Sequence, residues 1–200
     1  MKAIARLTGF VSMLAACAVL AAEAAPDALV KRTVDEVMTV LKENKDRRKL
    51  VELAEQKVLP HFDFTEMTRL AVGRAWRDAN DGQKKALENA FRTLLVNTYA
   101  TALMQAAKAD QSVEVRPTRV AAGQNEVVVR TVVKEPGRPP IPIDYSMRRS
   151  GSEWKVYDVV VENLSLVTNY RNTFSSEVAK GGIDGLIKSL EDKNRKIAAG

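Results

Sequence analysis

Val127-Val128-Val129-Arg130-Thr131-Val132-Val133-Lys134 is followed, after Glu135-Pro136-Gly137-Arg138-Pro139-Pro140, by Ile141-Pro142-Ile143-Asp144-Tyr145-Ser146-Met147-Arg148. Alternation with a period of two marks strands that bury one face. Val127, Val129, Thr131 and Val133 share one face and Arg130 and Lys134 the other, while Ile141, Ile143, Tyr145 and Met147 form the next inward row, opposite Asp144, Ser146 and Arg148. The Pro- and Gly-rich connection has hairpin length, as do Gly123-Gln124-Asn125 before it and Ser150-Gly151-Ser152 after it. With Val113-Glu114-Val115-Arg116 upstream and Glu153 to Val161 downstream, the middle of the chain reads as an antiparallel meander of four strands. In the last strand Trp154, Val156, Asp158 and Val160 alternate with Lys155, Tyr157, Val159 and Val161, so both rows are half apolar and a bulge is expected.

On either side of the meander the apolar period is 3.6. Val30, Val34, Val37, Met38 and Leu41 define a first helix from Asp27, its expected N-cap, to about Asn44. Leu50, Val51, Ala54 and Val58 define a second, which starts after Asp46 and stops near Pro60, a residue that cannot continue the hydrogen-bond ladder. Asp63 with Glu66 reads as a capping box, and Phe62 with Met67 as a hydrophobic staple, opening a third helix that ends at Gly73. Asn80 with Gln83 repeats the box before the longest helix, whose apolar face is Leu87, Phe91, Leu94, Leu95, Tyr99, Leu103 and Ala106. At Ala109 the period changes to two, and after Asn163 it returns to 3.6 through Leu166, Tyr170, Phe174 and Val178, interrupted at Gly181-Gly182. Ile183, Leu186, Ile187 and Leu190 mark the last helix. Helices, then strands, then helices give a single α+β domain with helices packed on a four-stranded antiparallel sheet.

The leader is separate from this domain. Lys2 and Arg6, an apolar run from Leu7 to Ala22 and the small-x-small sequence Ala22-Glu23-Ala24 make residues 1–24 a secretory signal peptide, leaving a mature domain over residues 25–200. Cleavage removes Lys2, Arg6 and Glu23 and takes the net charge from +6 to +5. Cys17 leaves with the leader, so the exported chain has no thiol to mispair in an oxidising compartment. Leu14-Ala15-Ala16-Cys17 also resembles a lipobox, but the apolar run continues past Cys17 to the Ala-x-Ala site, which favours ordinary cleavage.

Composition narrows the function. One histidine and one cysteine in 200 residues leave little from which to build a zinc site, a Ser-His-Asp triad or a Cys-His dyad. A cone-shaped isomerase would need a buried carboxylate beside a tyrosine, but Asp144-Tyr145 and Tyr157-Asp158 are strand neighbours and point to opposite faces. His61, beside Pro60 and a helix cap, reads as structural. The basic pI near 9.5 comes from scattered residues without a nucleic-acid-binding motif. What the chain does supply is bulk. Phe62, Phe64, Met67, Leu70, Trp76, Phe91, Tyr99, Met104, Tyr145, Met147, Tyr170 and Phe174 can fill a core over one sheet face or enclose an apolar cavity between that face and the helices.

His61-Phe62-Asp63-Phe64 with Met67-Thr68, Val72-Gly73-Arg74-Ala75-Trp76, Phe91-Arg92-x-Leu94-Leu95-x-x-x-Tyr99, Trp154-Lys155-Val156-Tyr157-Asp158-Val159, Ser165-Leu166-Val167-x-Asn169-Tyr170-Arg171 and Gly182-Ile183-Asp184-Gly185-Leu186-Ile187 follow one another in this chain. In that order, from about Lys31 to Asn194 and behind an export signal, they resemble the MlaC family of periplasmic phospholipid-binding proteins, the toluene-tolerance auxiliary components of ABC transport systems. The resemblance implies a monomeric, non-enzymatic carrier with no cofactor other than bound phospholipid. Its partners would be the MCE-domain subunit of an inner-membrane ABC transporter and an outer-membrane lipoprotein-porin complex, and its role the upkeep of outer-membrane lipid asymmetry.

The acyl-pocket candidates it implies are Phe64, Met67, Leu70, Val72, Trp76, Phe91, Leu95, Tyr99, Val129, Thr131, Ile141, Ile143, Tyr145, Met147, Leu166, Tyr170 and Phe174. Arg148, Arg149 and Arg171 are candidates for the headgroup, and Arg138, at a proline-stiffened hairpin tip, for partner docking. Two chains of about sixteen carbons, at roughly 0.8 kcal/mol per buried CH₂, amount to on the order of 25 kcal/mol that water does not tolerate exposed, so handover must be direct. A hopanoid or fatty acid is the alternative cargo for the same pocket.

Overall fold

A computed structural model of the chain describes residues 25–43, 46–106 and 111–199. The leader with Cys17, the change of period at Ala109 and the side chains of Leu103, Met104 and Ala106 lie outside the described residues. Helix α1 spans Pro26–Glu43. Proline suits a first helical turn because its missing N–H would have no partner there. Asp27 is therefore already inside the helix and is not its N-cap: Oδ1 accepts from Ala28 N at 3.0 Å, and Oδ2 accepts from Thr118 N at 2.9 Å, tying α1 to the loop before the second strand. Helix α2, Arg47–Leu53, is capped by Asp46, then widens into a π-helical turn over Ala54–Val58 and tightens into a 3-10 turn over Leu59–His61.

Asp63 caps α3, Phe64–Val72, by accepting from Glu66 N at 2.9 Å. The expected reciprocal bond is absent. Asp63 N donates instead to Val156 O at 2.8 Å, and Arg69 takes the Glu66 carboxylate through two contacts of 2.7 and 2.6 Å. A guanidinium fork is a stronger partner for a carboxylate than one backbone amide. Gly73 closes the helix at φ 68° and ψ −130°, a region open essentially only to glycine. The second box forms in full: Gln83 N donates to Asn80 Oδ1 at 2.8 Å and Asn80 N to Gln83 Oε1 at 3.0 Å, starting α4, Asp81–Ala106.

The meander carries one strand more than the alternation predicts. Strands β1 (Ser112–Val115), β2 (Glu126–Lys134), β3 (Ile141–Ser150), β4 (Glu153–Val161) and β5 (Leu164–Ser165) form one antiparallel sheet in that order. β5 is too short for alternation to reveal; it exists because Glu162 and Asn163, at φ 50° and 68°, turn the chain in the tight type I′ manner. The expected bulge is at Tyr157: Met147 faces Val156 and Ser146 faces Asp158, so Tyr157 is the extra residue. A regular β4 would have turned Asp158 inward and Val159 and Val161 outward. The bulge keeps the valines inside and frees Asp158 to cap the next helix, where its Oδ1 accepts from Val167 N and its Oδ2 from Ser165 Oγ.

That helix, α5, runs Leu166–Ala199 and is broken at Gly182, so the two helices expected there follow one another directly. Among the described residues most buried apolar side chains fall into two cores, with Leu41, Leu50 and Ala79 buried outside both. One joins α3, α4 and α5, with Phe91 edge-on to Tyr170 and Phe174 at ring separations of 4.9 and 5.1 Å. The other joins Leu29 and Val30 of α1 to Val127, Val129, Met147, Trp154 and Val156 of the sheet. Phe62 packs against both.

Candidate functional site

The sheet's inner face is an apolar trough. Across it Met147 lies between Val127 and Val156, Tyr145 between Val129 and Val159, and Ile143 between Thr131 and Val161. Helix α1 lies over this face at Leu29 and Val30, with Val34 packed beside them and Val37 and Met38 continuing the same stripe half-buried. The polar side chains on this face are Thr131 and Tyr145 in its middle and Arg149, paired in register with Trp154, at one end. Buried Thr131 donates from Oγ1 to Ile143 O at 2.8 Å and is in hydrogen-bonding contact with the Tyr145 hydroxyl, whose pKa burial pushes up. A lining made mainly of valine, isoleucine and methionine suits alkyl chains.

The predicted pocket residues fall into two groups. Val129, Thr131 and Met147 are buried on the sheet, Tyr145 and Ile143 half-buried, and Ile141, expected to face inward, is 36% exposed at the end of the same row. It lies past the end of the β3–β4 ladder, so no residue of β4 pairs beside it. Met67, Val72, Phe91, Leu95 and Phe174 are buried in the helical core, with Phe64, Leu70, Trp76, Tyr99 and Tyr170 packed around them. Leu166 is half-buried in the first turn of α5. Sequence reading missed Val159, Val161 and Leu164 on the trough side. The signal for the first two was the break in alternation at Tyr157-Asp158, and for Leu164 the Glu162-Asn163 pair, because asparagine tolerates positive φ.

The four arginines are all engaged. Arg148 contacts Asp63 at 3.5 Å and Glu66 at 3.0 Å, holding the sheet to the start of α3, and with Arg69 it keeps the Glu66 carboxyl below its usual range. Arg171 Nε donates to Leu70 O at 2.8 Å, satisfying a carbonyl at the end of α3 where the helix dipole favours a cation. Arg149 lies over the Trp154 ring at 5.1 Å. Arg138 pairs with Glu135 at 2.9 Å across its own turn. A second, open surface groove of about 630 Å³ lies along α1, where charged Lys31, Arg32, Asp35, Glu36 and Lys57 surround Ala28, Val40 and Leu53. Among the described residues there is no cluster of side chains suited to hold a metal ion and no helix long and apolar enough to cross a membrane.

A helical core beside an antiparallel sheet with an apolar inner face defines an α+β fold of the kind that can enclose an apolar ligand. The chain matches the family model "MlaC protein" over residues 31–192, and it belongs to that family. It is 22% identical over 178 residues to the intermembrane phospholipid transport system binding protein MlaC of Haemophilus influenzae, covering 85% of this chain and 82% of that one. It is 26% identical over 197 residues to the toluene tolerance protein ttg2D of Pseudomonas putida, covering 95% and 90%. Among solved structures it resembles the phospholipid-binding protein of Ralstonia solanacearum in complex with a phospholipid, with a TM-score of 0.78 and 35% identity over 86% of this chain and 98% of that one.

Proposed function

We propose that this protein is a periplasmic phospholipid carrier that holds acyl chains in the trough between the sheet and α1. It exchanges them between an outer-membrane lipoprotein-porin complex and the MCE-domain subunit of an inner-membrane ABC transporter, maintaining lipid asymmetry. The carrying observation is the likeness to a phospholipid-bound protein over 98% of that protein's length. The local chemistry supports it: the face is mainly valine, isoleucine and methionine, and its buried threonine hydroxyl is spent on a backbone carbonyl, which suits alkyl chains. No catalytic step is assigned to any residue. The reading includes export as a monomer by a leader cleaved after Ala24.

Protein purified from its native periplasm and analysed by native mass spectrometry is expected to carry phospholipid and to begin at Ala25. Repeated recovery of the ligand-free mass alone, under conditions that preserve lipid in a control carrier, would overturn the reading. A hopanoid or fatty acid in the organic extract would keep the carrier and replace its cargo.

A further inference from the structure

Burial along the trough falls in one direction on three strands at once. On β2 Val127, Val129 and Thr131 are buried and Val133 half-buried; on β3 the order is Met147, Tyr145, Ile143, Ile141, from fully buried to 36% exposed. On β4 Trp154 and Val156 are buried and Val159 and Val161 half-buried, and Val161 pairs with Leu164, which is 73% exposed. Because the register sets these residues side by side, they make a single gradient: the trough is closed at the Trp154 end and open at the Ile141–Leu164 end. From Met147 to Ile141 it runs about 20 Å at the rise of a strand, against the roughly 15 Å of one leaflet's hydrocarbon.

Leu164 is held in this position by the fold. The positive φ angles of Glu162 and Asn163 fix its turn, and Glu162 N donates to Pro142 O at 3.1 Å, anchoring that turn to β3 beside Ile141. The nearby cations are neutralised locally, Lys134 by Glu114 at 2.6 Å and Arg138 by Glu135 at 2.9 Å. Next to the exposed Glu162-Asn163 turn, the rim thus presents Ile141 and Leu164 as its apolar surface, and neither of these two cations is unpaired.

We propose that Leu164 and Ile141 form the threshold over which acyl chains enter and leave. A bound phospholipid then lies with its chain ends toward Trp154 and its glycerol end at Leu164. This rests on the carrier reading above and adds the position of the portal and the residues that set the exchange rate. Methylenes crossing from trough to acceptor meet water at the rim, and an apolar lip covers them at that moment without adding to the affinity of the seated lipid.

The test compares Leu164→Ser with Val128→Ser, a 41% exposed valine on the opposite face, using protein loaded with NBD-labelled phosphatidylethanolamine and acceptor vesicles of phosphatidylethanolamine and phosphatidylglycerol. Leu164→Ser is expected to slow transfer about tenfold, the factor that two methylenes left in water correspond to, with lipid content unchanged. Val128→Ser should transfer at the parent rate. In a Trp76→Phe background, a nitroxide on the terminal acyl carbon should quench Trp154 more than one on the headgroup. Equal transfer rates in the two serine variants, or stronger quenching by the headgroup label, would overturn the threshold while normal lipid content leaves the carrier reading standing. A parent protein that retains no phospholipid would bring down both.

Discussion

Val129 and Ile143 face the same trough from neighbouring strands, yet a carboxylate should act differently at each. Val129 has no exposed surface, so Val129→Glu leaves an ionised or forcibly neutralised group among Met147, Trp154 and Leu29, costing several kcal/mol. The expected outcome is a collapsed thermal transition by circular dichroism. Ile143 is half-buried where the trough begins to open; Ile143→Glu should keep its fold and lose bound phospholipid. Arg130, on the other face with its side chain 64% exposed and only a 3.9 Å approach to Asp144, should tolerate Arg130→Glu within about 0.5 kcal/mol and keep its lipid. Full lipid content in a folded Ile143→Glu protein would remove Ile143 from the pocket. At this scale the facing of residues was legible and their partners were not. Alternation says that Arg148 points away from Met147, but only the folded chain brings it to Asp63 and Glu66.

The helices were legible because their ends are written in short-range chemistry. The Asn80–Gln83 box formed as read, whereas at Asp63 a long-range ladder bond and an arginine displaced the second half of the motif. Strand β5 escaped notice because two residues carry no period. Glycines give a sharp test of element geometry. Gly73→Ala places a β-carbon on a backbone that only glycine adopts comfortably, and should cost about 1–3 kcal/mol, or several degrees in Tm for a chain of this size. Gly185→Ala has the opposite sign. Gly185 is helical, an added β-carbon meets nothing within 4 Å, and alanine should stabilise by about 0.5–1 kcal/mol. Calorimetry of the two variants showing the same direction of shift would contradict the backbone assignment.

Across the whole molecule, pH acts at a junction of three elements. His61, in the 3-10 turn, is pushed below 6.5 first by burial and then by Lys155 of β4 and Arg32 of α1, against smaller opposing effects of Glu153 and Glu36. A histidine kept neutral by the fold binds more protons when unfolded, so this stability is intact above about pH 6.5 and is lost as pH falls toward the lowered folded value. Urea midpoints measured between pH 7.5 and 5 should decline in the parent and flatten over that window in His61→Gln. The Glu66 contribution has its own range: its carboxyl is lowered by Arg69, so it fades only as pH drops below about 4.5. The overall α+β plan was legible because each period covers many residues, but the division into two cores was not, since it depends on which apolar faces meet. That division, with Phe62 as the shared aromatic, bears on how the molecule breathes. Amide hydrogen exchange should resolve two cooperative blocks, the α3–α5 bundle and the sheet with α1, and loading with lipid should slow exchange in the second while leaving the first at its own rate. The carrier can thus loosen around its cargo without melting the scaffold that holds it.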